Sequence, residues 1–301
     1  MTAPRIVCLG DVMVDVLAKL PHALAVGSDT PAPISLLGGG SAANTAAWLV
    51  AVGVPATFVG RVGDDVLGRF ALDGLARAGI DLAVSVDPVR PTGTCIVLVD
   101  GTGERTMVPA AGANSGLGDE PLPDLAGCAH VHVSGYALFN PGARAAAAAA
   151  AAHAAAAGLS FSADAASSAP LAGFGAQQFL DWLATAGART LLFANLDEAR
   201  VLVGDAAATA DEAAHELGRR CGEVIVKCGS DGAVWSDGRT LVRAAGAAVV
   251  AVDSTGAGDA FAAGVLSARL AGAGVVEMLT AGNTLAAQVI GRAGARPLLP
   301  G

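Results

Sequence analysis

The sequence predicts an α/β protein: a central, mostly parallel sheet with helices on both faces, plus a small β lid. Three observations point there. From about residue 128, short apolar strand-like runs alternate with helical segments, the pattern of parallel strands joined by helical crossovers. The chain closes on two helical stretches, 257–270 and 275–290. Outside this alternation, two β-rich runs at 94–100 and 105–108 flank Gly101-Thr102-Gly103, a hairpin signal.

Taken in order, residues 6–9 form an apolar run ending at Gly10-Asp11, a buried strand that delivers a loop. Gly38-Gly39-Gly40 precede SAANTAAWLVAVG, with Ala, Trp48 and Leu49 at helical spacing and Gly53 as C-cap. Residues 57–59 read as a strand and 66–78 as a helix closed by Gly79. After the hairpin, strands at 130–134, 160–163, 190–194 and 224–227 alternate with helices at 143–157, 174–185, 198–203 and 211–220. Residues 145–157 hold twelve Ala around His153. Ala is a strong helix former but weakly apolar, and the block is shorter than the ~20 residues of a membrane span, so a packed helix is expected. Lacking a Pro- or Ser-rich linker, a charge run or a repeat, residues 1–301 are read as one domain. Segments near 12–36 and 92–110 would form its lid.

Composition narrows the function. With 53% hydrophobic and 15% charged residues, the 301-residue chain is too apolar for disorder. A net charge of -9 lacks the positive field of a non-specific nucleic-acid binder. It leaves phosphorylated ligands open, because backbone N–H groups bind anions without net charge. The five Cys are scattered and form no C-x-x-C pair, which argues against a disulfide framework or zinc site and for a reducing, cytoplasmic setting. The apolar N-terminus is interrupted at Asp11, unlike a signal peptide, and no membrane partner is expected.

Five segments can carry chemistry. In DSTGAGDAFAAGVLSARL (253–270), Gly256, Ala257 and Gly258 permit a tight turn, and Asp259 stands where a helix begins. The helix N-terminus is an anion site. A carboxylate beside it repels phosphate, and it makes sense as the base that deprotonates an attacking hydroxyl. Alone, Asp259 reads more readily as a dipole-stabilised helix-start residue. In 37–53, the triple Gly lets backbone approach a ligand and Asn44 offers donor and acceptor; a flexible turn before a core helix is the alternative. Asp15, following an apolar strand, can accept two sugar hydroxyls, or be a solvated loop residue. Asn195 and Glu198 can orient Mg²⁺-bound water; by themselves they read as a capping box. VIVKCGSDG (224–232) suits a nucleotide-facing loop. His130 and His132 alternate on a strand without a ligand pattern.

Together and in this order, 38–53 with FVGRVGDDVLG (58–68), PTGTCIVLVDGTGERT, Gly112–Asn114, Asn195-x-x-Glu198 and 253–261 resemble the PfkB family of carbohydrate kinases, with its ribokinase-like fold, over nearly the whole chain. The resemblance implies transfer of the γ-phosphoryl group of ATP to an alcohol, usually a sugar CH₂OH. By position, Asp259 is the general base and Gly256, Ala257 and Gly258 the anion hole. Asn195 and Glu198 would hold Mg²⁺ through water. Asp15, Gly39, Gly40 and Asn44 would bind the acceptor, and Lys227, Gly229, Ser230, Gly232 and Asn283 would contact ATP. Asp253 and Thr255 match a loop that binds a monovalent cation, which implies activation by K⁺. Lids of this fold pair, which implies a homodimer.

Departures bear on the acceptor. Ser41 stands where ribokinase proper has Lys, and Ser134-Gly135-Tyr136 where it has a substrate-binding Glu, against D-ribose. No aromatic lies in 92–108, against a purine nucleoside. Arg105 is expected to be a solvated hairpin residue, with an acidic sugar as its alternative partner. The competing readings are a nucleoside kinase and a catalytically silent ligand-binding regulator. A dinucleotide-dependent oxidoreductase fails because no G-x-G-x-x-G follows an early strand.

Overall fold

The computed structural model describes residues 4–101, 104–125, 127–247, 249, 253–291 and 294–298. Thirteen strands run in chain order: β1 Arg5–Leu9, β2 Met13–Lys19, β3 Ile34–Gly39, β4 Ala56–Gly63, β5 Asp81–Asp87, β6 Thr94–Val99, β7 Arg105–Ala110, β8 Cys128–Ser134, β9 Ser160–Asp164, β10 Thr190–Asn195, β11 Glu223–Lys227, β12 Ala233–Ser236 and β13 Leu241–Ala244. The helices are α1 Ser41–Ala51, α2 Val66–Arg77, α3 Tyr136–Phe139, α4 Arg144–Ala157, α5 Ser168–Phe174, α6 Ala176–Ala184, α7 Leu196–Val203, α8 Ala210–Cys221, α9 Ala257–Leu270 and α10 Val275–Ile290.

Nine strands form the main sheet in the order β13-β12-β11-β10-β9-β8-β1-β4-β5, parallel from β11 to β5 and finished by the antiparallel β12 and β13. The strands are apolar on both sides because helices cover both faces. Along β10, Leu192 and Ala194 pack with Ala147, Ala150 and Phe179 of α4 and α6, while Leu191 and Phe193 pack with Trp48 and Phe261 of α1 and α9. The Ala-rich block is the packed helix expected; Ala146, Ala147, Ala150, Ala151 and Ala154 are buried. His130 and His132 are core residues, their Nδ1 atoms bonded to Ser160 and Ser162 hydroxyls at 2.8 Å. Burial holds both imidazoles below their usual pKa, His132 at about 4.

The second sheet has the order β3-β2-β6-β7, with β2 and β6 parallel and the outer pairs antiparallel. Its strands lie at 13–39 and 94–110, the first stretch running three residues past the expected 36; of the expected hairpin turn, Thr102 and Gly103 lie outside the described residues. The glycine triplet is not a single turn. Gly38 and Gly39 belong to β3, and only Gly40, at φ 95°, turns the chain into α1. β5 and the β12–β13 hairpin were not expected from the pattern. β5 and β13 are sheet edges and partly exposed, so neither shows a continuous apolar run.

Parallel pairing aligns the C-terminal ends of the strands. Asp164 ends β9 opposite Phe193, and Asn195 ends β10 opposite Lys227 of β11. Functional side chains on these strands therefore open onto one edge, where open α/β sheets bind ligands.

Candidate active site

A cleft of about 990 Å³ lies at this edge, closed from above by the second sheet. Of the residues expected in a site, it brings together Asp15, Gly40, Asn44, Asn195, Glu198, Lys227, Gly229, Thr255, Gly256, Gly258 and Asp259.

The N-terminus of α9 forms its floor. Gly256 caps the helix at φ 78°, and a Cβ there would lie 2.6 Å from that of Ala295, so only glycine fits. Ala257 turns inward, its N–H bonding the Ser254 carbonyl at 3.2 Å, while Gly256 and Gly258 face the cleft. Asp259 follows in the first turn. Its two oxygens accept the Ser41 hydroxyl (2.8 Å) and the Asn44 amide (2.9 Å), both from the start of α1. Burial raises its pKa to about 7; the two hydrogen bonds oppose this, and Asp164 and Asp11 reinforce it. A carboxylate poised near neutrality beside a helix N-terminus can take a proton from a hydroxyl and leave an anion-binding terminus for the group being attacked.

Around Asp259 this end of the cleft is acidic. Asp11 anchors the Ser41 N–H through Oδ2 (2.9 Å), while its Oδ1 is buried with no partner among the described residues. Asp15 faces the cleft from β2, raised to about pKa 6 by burial while Arg296 opposes the rise. A Cβ on Gly39 would lie 2.5 Å from the Asp15 carboxylate, which explains glycine inside a strand. Asn44 is engaged at both ends: Oδ1 accepts Arg296 Nε at 3.0 Å, and Arg296 Nη2 holds the Gly39 carbonyl at 2.6 Å. Asn114 ties the loop after β7 to β1's exit through the Val12 N–H (3.0 Å) and carbonyl (2.9 Å).

The other end of the cleft carries a charge pair. Lys227 Nζ meets Asp164 Oδ2 at 2.7 Å and lies 3.1 Å from where a Cβ on Gly258 would stand. Asp164 Oδ1 accepts the N–H of Ala166, a non-glycine residue at φ 67°. Asn195 and Glu198 form a complete capping box, with Glu198 N on Asn195 Oδ1 at 2.9 Å and Asn195 N on Glu198 Oε2 at 2.7 Å. Burial raises Glu198 to about pKa 7, with Lys227 opposing the rise. Among the described residues no three carboxylate, thiol or imidazole side chains gather around one point. Asp164 and Glu198 beside Lys227 therefore suit a hydrated ion shared with phosphates rather than a protein cage.

Not all expected residues line the cleft. Ser230 is exposed, and Gly232 is packed in the turn that bonds Cys228 N at 2.7 Å. Asn283 braces the chain after β13 through the Ala245 carbonyl at 2.9 Å. Asp253 is buried behind Thr255, and Arg105 contradicts the expectation of a solvated residue. Its side chain is only 16% exposed and pairs with Asp253 at 2.6 Å and Thr255 Oγ1 at 2.7 Å. The reading from sequence missed Asp11, Asp164, Arg296 and this role of Arg105, and did not weigh Ser41 as a partner of Asp259. The Gly10-Asp11 step after an apolar strand was the available signal for Asp11; the others depend on long-range packing.

A doubly covered, mostly parallel sheet with a separate small β lid is the ribokinase-like architecture. The chain belongs to the pfkB family of carbohydrate kinases, whose family model matches residues 3–300. It is 35% identical over 262 residues to an ATP-dependent ribose-1-phosphate kinase of Halopiger xanaduensis, covering 86% of this chain and 82% of that protein. It is 30% identical over 305 residues to a fructokinase of Klebsiella pneumoniae, covering 92% and 88%. The structure of adenosine kinase from Sinorhizobium meliloti superposes with a TM-score of 0.89 at 28% identity, covering 99% and 97%. The protein is therefore an ATP-dependent phosphotransferase with an alcohol acceptor, of the sugar or nucleoside kinase type, and kinases of this family use ATP with Mg²⁺. Among the described residues no helix is long and apolar enough to cross a membrane.

Proposed function

We propose that this chain phosphorylates a hydroxyl of a neutral, polyhydroxylated acceptor with ATP, using Asp259 as general base. The observation that carries the reading is the Asp259 carboxylate, fixed by Ser41 and Asn44 at the N-terminus of α9 and raised to about pKa 7. Asp259 takes the proton of the attacking hydroxyl, while the Gly256–Gly258 turn and the helix terminus receive the transferring phosphoryl oxygens. Lys227, parked on Asp164, is within reach of the same place and adds positive charge there. Asp164 and Glu198 would hold Mg²⁺ through water, with Asn195 orienting Glu198. The ion supplies charge neutralisation on the phosphates when bound. Gly229, with Ser230, Gly232 and Asn283 behind it, would border the nucleotide.

Acceptor charge follows from the local balance. Asp11, Asp15 and Asp259 face one arginine, Arg296, whose guanidinium is already committed to Asn44 and the Gly39 carbonyl. Such a pocket disfavours an acceptor that brings a phosphate or carboxylate of its own. Gly40 lets the chain turn against the Asp11 carbonyl, 2.5 Å from where its Cβ would stand, and Asp15 and Asn44 would border the acceptor hydroxyls. A nucleoside is the second reading. Met13, Met107 and Pro109 give the lid side of the cleft an apolar wall, and Tyr136 and Phe139 of α3 line it from outside the lid segment that lacks aromatics. An assay of ADP release over neutral sugars, sugar phosphates and nucleosides separates these readings. Turnover with a neutral sugar alone supports the first, and turnover led by nucleosides the second. A preference for a sugar phosphate overturns the charge argument, and no turnover with any acceptor favours the silent regulator.

The outer lid face exposes Ile34, Leu36, Ile96 and Val108, at 46–67% exposure, in neighbouring strands. A second copy of this chain would cover this face in a twofold lid-to-lid homodimer. Light scattering should give twice the chain mass, and Ile96→Asp should return the monomer mass; a wild-type monomer removes this proposal. The five free thiols and the requirement for ATP support work in the cytoplasm.

A further inference from the structure

The loop 253–255 leads into Gly256, so whatever fixes it fixes the floor of the cleft. The resemblance placed a monovalent cation at Asp253 and Thr255. The described residues do not fit an added ion there. Asp253 Oδ1 accepts Arg105 Nη1 (2.6 Å) and the Thr255 N–H (2.7 Å), and Oδ2 accepts the Gly294 N–H (3.0 Å). Thr255 Oγ1 accepts the same Nη1 at 2.7 Å. Both oxygens that would bind a cation already face a guanidinium, and a second positive charge a few ångströms away would be repelled.

Arg105 comes from elsewhere in the chain. It opens β7, the edge strand of the lid sheet, 150 residues before Thr255. Asp253 is 4% exposed, and without the arginine its charge would be buried against two N–H groups alone. Such a carboxylate requires a cation. Arg105 Nε is itself buried with no partner among the described residues, so the head is held by Nη1, at the carboxylate and the hydroxyl.

We propose that Arg105 is the resident cation of the 253–255 loop: a lid arginine replaces an inorganic monovalent ion, and one contact both closes the lid and orders the anion-binding turn. Arg105 is a positioning residue in this scheme, since it acts through Asp253 and Thr255. An open lid leaves Asp253 uncompensated, so closing the lid completes the site. The kinetic part of the inference rests on the proposed phosphotransfer; the ion-binding part does not.

The test compares wild type with Arg105→Gln and Arg105→Lys in K⁺, Na⁺ and choline salts at equal ionic strength. Wild-type initial rates should agree within about twofold in all three. Arg105→Gln should lose about tenfold or more of its rate in choline, the scale of a lost electrostatic contact at a reacting centre, and regain much of it on adding K⁺. Arg105→Lys should remain independent of K⁺. In thermal unfolding without nucleotide or acceptor, K⁺ should stabilise Arg105→Gln over choline and leave wild type unmoved. Severalfold activation of wild type by K⁺ overturns the proposal, as does an Arg105→Gln protein at full rate in choline. A variant that neither regains rate with K⁺ nor gains stability from it overturns it too. If no acceptor is turned over, the thermal arm still decides the cation question separately from the proposed activity.

Discussion

The main sheet is buried along nearly every strand from β10 to β4, whereas among the described residues the lid sheet's own core is Leu17, Cys95 and Val97. Helices clamp the first on both faces; the second has a cleft on one side and exposed Ile34, Leu36, Ile96 and Val108 on the other. The functional groups divide along the same line. Asp259, Ser41, Asn44 and Lys227 stand on elements of the clamped region, and Asp15, Gly39 and Arg105 on the lid. In the proposed reading, the groups that would meet the reacting atoms stand where packing fixes them. The groups that would enclose the acceptor sit on the sheet with the smaller core, although Asp15 and Arg105 are themselves largely buried there.

The comparison is broken most severely at Asp259. Asp259→Asn should keep the fold and nucleotide binding but lower kcat by about 10²-fold or more, the scale of a lost general base. Near-wild-type turnover in steady-state assays would remove Asp259 from the chemistry. On the lid, Asp15→Ala should act the other way, raising the acceptor KM by about tenfold, as expected for losing a charged hydrogen-bond partner, with a smaller effect on kcat. A kcat loss as large as that of Asp259→Asn would erase the division of labour.

A subtler test is the pH profile. As the proposed base, Asp259 must be ionised to act, so kcat/KM should rise with pH and level off above about 7. Ser41→Ala removes a hydrogen bond that favours the ionised form, so the limb should move to higher pH; a shift to lower pH would contradict the assigned contact. Stability runs in the opposite sense. With its pKa raised from 3.8 to about 7, Asp259 contributes stability that is full below about 3.8 and lost as pH rises through about 7. Asp259→Asn should therefore gain on wild type in thermal unfolding between pH 5 and pH 8, values that bracket the same titration. The smallest effect is in hydrogen exchange. Amides of β6 and β7 should exchange sooner than those of β1 and β8, and equal protection would mean the lid is as firmly held as the core.

Much of this division was legible in the sequence because its signals are local. Alternating strands and helices announced the parallel sheet, and the glycine turn before Asp259 and the Asn195–Glu198 box are marks of helix starts, readable within a few residues. What escaped depends on distant partners. Asn44 and Arg296 are separated by 252 positions, and Arg105 and Thr255 by 150. Nothing beside Arg105 in the chain distinguishes a solvated hairpin tip from a buried ion pair. Asp164 was invisible for the same reason, since it gains meaning only when pairing sets β9 beside β10 and Lys227 swings to it from β11.

Cys95 gives the lid a chemical clock. Its thiol lines the cleft from β6 yet is 3% exposed, and burial together with the charge of Asp15 keeps it protonated to higher pH than a free thiol. Only the thiolate of an uncovered cysteine alkylates quickly. On the proposed closing of the lid, the rate at which Cys95 is modified would count its openings, and a bound acceptor should slow that count.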